Sequence, residues 1–320
     1  MVLALEQFQP FDLEILKQKF YVTEDAVEAT GMSVEDLETL YNDYLGRIEN
    51  IDGIRQQFVS EYLLKPVEGI HSVSSRTKDP YHLIEKIIRK KSNNNQKYSE
   101  LDVTNYHKFV TDLIGVRILM VYKADWEKVH GFLVGAFENH EQNYITEEAY
   151  ISGFDENPEH YYIAECPVAY IRAGDDKHFY EGHSEIKIKD KTGYYRSIHY
   201  IIKYKGYYIE LQVRSIFEEA WGEVDHDVLY PLHKENQQMV RYSMMLNRLS
   251  GLADEMSDYF KQYCGNASGD TGFSFSYLDV PDGVAVDSSI RIENTKSLEQ
   301  LVNCAEPSSI DEVISDLLDQ

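Results

Sequence analysis

The sequence lacks the features of a membrane protein or of a disulfide-stabilised secreted protein. No apolar run approaches the roughly 18–20 residues that a membrane-spanning helix needs. The first residues, MVLALE, show neither the basic segment nor the long apolar segment of a secretory signal. Cys166, Cys264 and Cys304 are too few and too widely spaced for a disulfide framework or a thiolate zinc site. We therefore expect a cytoplasmic protein with reduced thiols and no membrane contact.

Basic residues are also scarce. The 320 residues include 31 Lys and Arg against 55 Asp and Glu, a formal net charge of −24. Residues 1–62 and 265–320 each carry a net charge of −9. This balance argues against a DNA-binding surface, because phosphate contacts dominate such affinity. Two basic stretches, 86–97 and 187–205, suggest a local anion site, although each alone is also compatible with a solvated face.

The apolar content, 43% of residues with 25 Tyr and 13 Phe, is sufficient for a sizeable core. Ser33 precedes a long helical pattern, and Asp79-Pro80 is typical of a helix start. The nearly continuous apolar run 113–121 predicts a buried strand. Further predicted elements are a helix over 125–138, strands near 161–171, 183–189, 195–204 and 207–213, and helices over 216–228 and 235–263.

These elements predict an α+β fold, with one mixed sheet of about five strands flanked by helices. Three parts follow from the pattern: a helical extension over 1–62, a central domain over 63–264, and a linker with an acidic tail over 265–320. The two flanks are acidic, and the second basic stretch lies on predicted strands.

Several polar residues lie next to the predicted strands. Asp112 precedes the buried strand, and Glu210 lies near the end of a later strand. Two carboxylates from separate strands can hold Mg²⁺, with water and phosphate as its remaining ligands. Basic side chains can neutralise a polyphosphate, and a tyrosine on a sheet face can stack on a base. Together these residue types fit phosphoryl chemistry on a nucleotide, which depends on positioning and charge stabilisation.

At these motifs the chain resembles the alarmone synthetase domain of the RelA/SpoT family, whose members are ATP-dependent pyrophosphotransferases related to nucleotidyltransferases. The resemblance covers about residues 63–264. Its motifs are RTK at 76–78 with Lys86, DLIGVRI at 112–118, YRSIH at 195–199, ELQVR at 210–214 and AWGEVDH at 220–226. The resemblance implies a nucleotidyltransferase-like sheet.

The resemblance also implies roles for individual residues. The catalytic and Mg²⁺-binding residues would be Asp112 and Glu210, with Glu210 also a candidate for activating the acceptor hydroxyl. The residues that would bind ATP are Arg76, Lys78, Lys86 and Arg117. Those that would bind the acceptor are Tyr195, which would stack on its base, His199, Lys187, Lys189, Lys191 and Arg196. Arg214, Glu223 and His226 would form a supporting network, and Trp221 would serve in packing.

Two positions depart from the family pattern. His82 stands where Ser is common, which affects a contact to the donor phosphates. Tyr194 precedes Tyr195 where Gly is usual, so Tyr194 remains an alternative stacking residue. The long family members also carry a hydrolase with metal-binding His motifs. Residues 1–62 contain no histidine, so we expect a synthetase-only short form without hydrolase activity.

The acceptor stays open between two candidates. Most of the family transfers pyrophosphate to GDP or GTP, which makes ppGpp or pppGpp. A toxic subset, whose motif sequences are similar to those of this chain, modifies the 3′-terminal adenosine of tRNA. These enzymes stop translation in toxin–antitoxin or phage-defence systems. The third candidate function is that of a catalytically inactive regulatory module that keeps the fold. The acidic flanks are candidates for masking the basic site or for binding an antitoxin or regulator; the simpler alternative is solvated helices and a solubilising tail. Short family members often self-associate.

Overall fold

A computed structural model describes residues 10–93, 98–138, 144, 157–172, 177–191, 196–228 and 236–266. The chain divides into two units, Met1–Ser268 and Gly269–Gln320, and all the described residues belong to the first. The predicted acidic tail therefore lies outside the described residues, as do Tyr194 and Tyr195. The predicted boundary at residue 62 stays a prediction.

Three helices form the N-terminal part: α1 (Leu13–Phe20), α2 (Glu24–Glu28) and α3 (Val34–Phe58), which continues as one π-helical turn over Val59–Leu63. The predicted start of α3 is confirmed, because Ser33 and Asp36 cap it reciprocally. Its apolar positions recur three and four residues apart and are buried from Leu37 to Phe58. The rings of Phe58 and Tyr204 lie 5.3 Å apart, so α3 contributes directly to the core beside the sheet.

The sheet has seven strands among the described residues. They are β1 (Ser72–Thr77), β2 (Ile114–Met120), β3 (Tyr162–Ile163), β4 (Val168–Arg172), β5 (Lys187–Lys191), β6 (Ser197–Tyr204) and β7 (Tyr207–Ser215). The order is β1-β2-β7-β6-β4-β5, and β3 pairs with β6. The β2–β7 and β4–β5 pairs are parallel and the others are antiparallel. The predicted mixed sheet is thus confirmed.

The strand count exceeds the predicted five for two reasons. β1, with the polar sequence SVSSRT, is an edge strand and gives no apolar signal. The predicted strand over 161–171 is two strands, β3 and β4. The predicted strand over 183–189 was also misplaced at its start, because β5 begins only at Lys187 and residues 184–185 form a turn.

Six more helices flank the sheet in the described part of the chain. They are α4 (Pro80–Ser92), α5 (Tyr106–Phe109), α6 (Trp126–Ala136), α7 (His178–Glu181), α8 (Ile216–Val228) and α9 (Gln237–Asn266). α4 begins as predicted, with Asp79 as N-cap and Pro80 at the first helical position. The predicted β6–β7 hairpin is also confirmed, since Lys205 and Gly206 both have positive φ, as a type I′ turn requires.

The two faces of the sheet differ in chemistry. In β2 the buried residues Ile114, Val116, Ile118 and Met120 alternate with partly exposed residues. The predicted buried strand is therefore buried on one face only, because alternate side chains point to opposite faces. The helices α3 and α6 pack on the apolar face, where Phe58 contacts Tyr204 and Trp126 bonds to Tyr200. No helix in the described ranges has both the length and the apolar character to cross a membrane.

Candidate active site

The strand register places six of the predicted site residues on one face of the sheet. Directly paired residues share a face. Arg76 pairs with Gly115 and Gly115 pairs with Glu210, so all three lie on the face opposite the apolar core. Further partners extend this polar face across the sheet, namely Arg117, Gln212, His199, Val168, Tyr170, Lys187 and Lys189.

A cavity of about 320 Å³ lies over the polar face. Asp112 and Glu210, the two predicted metal ligands, both line it. The remaining lining residues are Ser74, Ser75, Arg76, Gly115, Val116, Arg117, Gln212, Glu223 and His226. One carboxylate from the turn before β2, one from β7 and two arginines therefore meet at one cavity, although 75–76, 112–117 and 210–226 are far apart in the sequence.

The Asp112 carboxylate is held by two lysines. Lys78 Nζ donates to Oδ2 at 2.8 Å, and Lys86 Nζ lies 2.8 Å from Oδ1. Burial alone would raise the pKa of Asp112, but the charges and hydrogen bonds of Lys86 and Lys78 outweigh it and hold this pKa far below its usual range. The carboxylate is therefore ionised at neutral pH.

Glu210 is ionised as well. Burial alone would raise its pKa. The hydrogen bond and charge of His199 and the charge of Lys86 lower the pKa by a larger amount, so it lies below its usual value. His199 Nδ1 lies 3.5 Å from Glu210 Oε1. Gln212 Nε2 donates to Glu210 Oε2 at 2.9 Å. Asp112 acts in the opposite sense, which indicates that the two carboxylates lie within electrostatic range of each other.

Arg76 reaches the cavity across Gly115. A Cβ built at Gly115 would lie 3.6 Å from Arg76 Cγ. Because Gly115 has no side chain, the Arg76 side chain has room to pass over this position. Arg76 is exposed, and within the described ranges no carboxylate forms an ion pair with it. Arg76 therefore offers the cavity a positive charge that the neighbouring carboxylates do not neutralise.

Arg117 and Arg214 connect the sheet to α8. Arg117 Nη1 lies 2.7 Å from Glu219 Oε1 and also pairs with Glu223, while Arg214 Nη1 donates to Glu219 Oε2 at 2.9 Å. Two of the predicted supporting residues, Arg214 and Glu223, thus join one network with Arg117 and Glu219. Glu219 had no predicted role. His226, at the far end of α8, lines the cavity but is largely exposed.

Other predicted residues lie away from the cavity lining. Arg196 is buried, and its guanidinium pairs with Asp254 and contacts the Asn247 carbonyl on α9. Its position fits a role in holding α9 to the sheet rather than direct contact with an acceptor. Trp221 is buried and donates to Ser243, which agrees with the predicted packing role.

The basic residues of β5 lie at the edge of the sheet. Lys187 and Lys189 are exposed on the polar face, and Lys189 Nζ lies 5.9 Å from the Tyr170 ring centroid. The side chain of Lys191 is outside the described part. His82, at the position that departs from the family pattern, contacts the Phe20 ring edge-on at 4.8 Å.

The carboxylate pair has the chemistry of a Mg²⁺ site. Mg²⁺ prefers oxygen ligands and commonly binds through one or two carboxylates with water and substrate phosphates. Asp112 and Glu210 are both ionised, with side chains about one-fifth exposed at 18% and 23%, and both face the cavity. Their carboxylate oxygens are therefore donors of the type that Mg²⁺ takes, and Lys78 and Lys86 contact the two oxygens of Asp112.

Ser74 and Ser75 line the cavity but lie outside the predicted motifs, whereas Gly115, Val116 and Gln212 lie inside motifs without an assigned role. Gln212 lies two residues after Glu210, so the period-2 alternation of a strand could have placed it on the same face. Ser74 and Ser75 belong to the unrecognised edge strand β1 and carried no comparable signal.

Comparisons with known proteins bear on this site. A family model described as a region found in RelA / SpoT proteins matches residues 75–235, half of the chain. This range contains every residue of the cavity lining except Ser74. No curated protein matches the chain significantly.

Several solved structures are similar to the chain. A GTP pyrophosphokinase family protein from Streptococcus pneumoniae is 16% identical with a TM-score of 0.43, over 80% of this chain and 97% of that one. The small alarmone synthetase 1 from Bacillus subtilis, bound to its product pppGpp, is 18% identical with a TM-score of 0.40, over 71% and 95% of the two chains. The small alarmone synthetase 2 from Bacillus subtilis has the same identity and TM-score, over 70% and 96%. Because these TM-scores are below 0.5, the proposed function rests on the family match and on the residues of the cavity.

Proposed function

The chain belongs to the RelA/SpoT family, and from this premise we propose that it transfers the pyrophosphate group of ATP to the ribose 3′-hydroxyl of GDP or GTP. The products are AMP and ppGpp or pppGpp. The observation that carries this proposal is the shared cavity of Asp112 and Glu210, two ionised carboxylates beside the arginines Arg76 and Arg117.

The proposed reaction is a displacement at the β-phosphorus of ATP. The acceptor 3′-oxygen forms a bond to that phosphorus, the bond from the phosphorus to the α,β-bridging oxygen breaks, and AMP leaves with that oxygen. The 3′-hydroxyl proton passes to a base. Glu210 is the candidate base because it is an ionised carboxylate that lines the cavity.

The cationic residues have the complementary task. ATP brings several negative charges, and charge stabilisation is the main requirement of phosphoryl transfer. Arg76 provides a positive charge without a carboxylate partner among the described residues. Lys78 and Lys86 do not line the cavity themselves, but they contact the two oxygens of Asp112, which does. Their charges would therefore act on a phosphate bound beside Asp112.

Asp112 and Glu210 are the residues we propose to hold Mg²⁺, which neutralises phosphate charge when it is bound. His199 and Gln212 restrain the Glu210 carboxylate from the neighbouring positions of the sheet. This restraint keeps its oxygens directed into the cavity and limits the reorganisation needed when substrate binds.

A tRNA acceptor is the second candidate, and the edge strand β5 favours it. Lys187 and Lys189 are exposed on the polar face but do not line the cavity. An acceptor longer than a mononucleotide could contact them while its 3′ end lies at Glu210. The net charge of −24 opposes an extended tRNA footprint, so any such contact would be confined to the acceptor end.

The test is a transfer assay with Mg²⁺ and γ-labelled ATP, offered GDP, GTP or bulk tRNA in parallel. Periodate-oxidised tRNA, which lacks an intact 3′-terminal ribose, is the control for labelling at that position. The proposal expects label on GDP or GTP that is lost in the Glu210→Gln variant. Label on intact tRNA alone would replace the proposed acceptor with the second candidate. Label on no acceptor would overturn the proposed activity and favour the inactive regulatory module.

A further inference from the structure

A second cluster of ligand-type side chains lies on the other side of the sheet. His130 belongs to α6, and His183 and Glu185 lie between α7 and β5. One potential ligand atom from each residue lies within 4.8 Å of the other two. None of these residues lines the cavity of the candidate active site.

We propose that His130, His183 and Glu185 bind a divalent transition-metal ion, with Zn²⁺ as the ion that fits the donor set best. Two imidazole nitrogens and one carboxylate are a common protein ligand set for zinc, with a water molecule in the fourth position. The site is distinct from the Mg²⁺ site proposed above because its ligands are nitrogen-rich.

The distances between the ligand atoms support this assignment. His130 Nε2 lies 3.0 Å and His183 Nδ1 lies 3.1 Å from the same oxygen, Glu185 Oε1. Zinc bonds of 2.0–2.2 Å in a tetrahedron separate neighbouring ligand atoms by about 3.3 Å. Two of the three separations are therefore already within a few tenths of an ångström of the bound geometry.

His130 has the outer hydrogen bond that orients metal-binding histidines. Its other ring nitrogen, Nδ1, lies 3.0 Å from the hydroxyl of Tyr200, which accepts a hydrogen bond from Trp126 Nε1. The Trp126 ring also stacks on His130 at 5.0 Å. These contacts fix the ring so that Nε2 points at Glu185, as outer partners do in metal sites.

The proposed ion would join two segments that are distant in the sequence. α6 packs on the apolar face, and the turn at 184–185 leads into β5, the edge strand of Lys187 and Lys189. Edge strands have only one paired neighbour, and β5 pairs only with β4 in the described sheet. A metal bridge would therefore hold the start of this edge strand against α6.

The test uses the full-length, tag-free protein. Its metal content is measured by mass spectrometry, and chelator-treated protein is titrated with Zn²⁺ while thermal unfolding is followed. Co²⁺, which absorbs visible light in a tetrahedral site, reports the ligand geometry. We expect one equivalent of bound Zn²⁺, a rise in Tm that a chelator reverses, and the tetrahedral Co²⁺ spectrum.

Two variants and a control separate the metal site from a network of hydrogen bonds alone. Glu185→Gln keeps an oxygen that accepts hydrogen bonds but removes the charged ligand, so Zn²⁺ binding should be lost while the metal-free protein stays folded. Tyr200→Phe should weaken Zn²⁺ binding roughly 10–100-fold, because it removes an outer partner. His160→Gln is the control, since His160 also pairs with a carboxylate, Glu138, but lies outside the cluster.

Wild-type protein that binds no stoichiometric Zn²⁺ or Co²⁺ would overturn the proposal and leave the cluster as a hydrogen-bonded network. Equal Zn²⁺ affinity in the wild type and in Glu185→Gln would also overturn it. Neither result depends on the transfer assay, so this site and the proposed function fail or succeed separately.

Discussion

Lys86 on α4 and Asp112, two residues before β2, form an ion pair, with 2.8 Å between Nζ and Oδ1. The two side chains are only 14% and 18% exposed. A buried charge is costly unless it is paired, and Lys78 pairs with the second oxygen of the same carboxylate. The proposed metal ligand is thus already positioned by the residues that we propose to contact the ATP phosphates.

Lys86→Met should lower both stability and transfer. The variant removes one of two cations from Asp112, so we expect a loss of about 2 kcal/mol in the free energy of unfolding. It also removes a phosphate contact, so KM for ATP should rise. Lys90→Met, which removes the lysine one turn later on the same helix, is the control. Denaturant titration and initial rates measure the two effects, and wild-type values for Lys86→Met would contradict the assigned contacts.

Asp112→Asn should change how stability depends on pH. The folded-state pKa of Asp112 lies below its unfolded value of about 3.9. Its ion pairs therefore stabilise the protein fully above that value, and the stabilisation is lost as pH falls through the folded pKa. The wild type should exceed the variant in Tm at pH 6, and the difference should shrink as pH falls below about 4. A constant difference across this range would show that Asp112 does not titrate as described.

Gly115 should tolerate Ala but not Val. An alanine Cβ would make an ordinary contact of 3.6 Å with Arg76 Cγ, whereas the larger side chain of Val would displace Arg76 from the cavity. Gly115→Val should therefore raise KM for ATP by about tenfold, equivalent to about 1.4 kcal/mol, and Gly115→Ala should change it little. Steady-state kinetics of the matched pair test this. Equal KM values for the two variants would contradict the assignment of Arg76 to ATP binding.

Phe58→Ala should destabilise the whole described domain. Phe58 is fully buried, with ring centroids of Phe137 and Tyr204 at 5.8 and 5.3 Å. Removing a buried aromatic ring costs about 3–5 kcal/mol. Leu64→Ala, at a position 71% exposed, should be nearly neutral. Thermal unfolding of both variants tests whether α3 belongs to the core of the domain, and a small effect at Phe58 would indicate that it folds separately.

The sequence predicted the elements with strong local signals. The capping residues Ser33 and Asp79 and the Lys205-Gly206 turn all occur as expected, because short-range backbone chemistry determines them. β1 was missed, since its polar sequence reflects its place at the edge of the sheet. That place depends on pairing with β2, which lies about 40 residues further along the chain.

The candidate site was predicted where motifs named its residues and missed where only the fold brings residues together. Asp112 and Glu210 were both expected at one site, and both line the cavity. Arg196, which belongs to the YRSIH motif and to the basic stretch 187–205, was grouped with the acceptor residues, but its guanidinium pairs with Asp254 on α9. His130 and Glu185 gave no signal, because their approach depends on how α6 packs against the segment before β5.

The transfer of label from γ-labelled ATP to GDP or GTP, compared between the wild type and Glu210→Gln with Mg²⁺ present, tests the central claim most directly. The account predicts labelled ppGpp or pppGpp from the wild type and a loss of roughly 10²–10⁴-fold in rate from the variant, with thermal unfolding confirming that the variant is folded. An active wild type whose rate is unchanged by Glu210→Gln would contradict the assignment of Glu210 to the reaction.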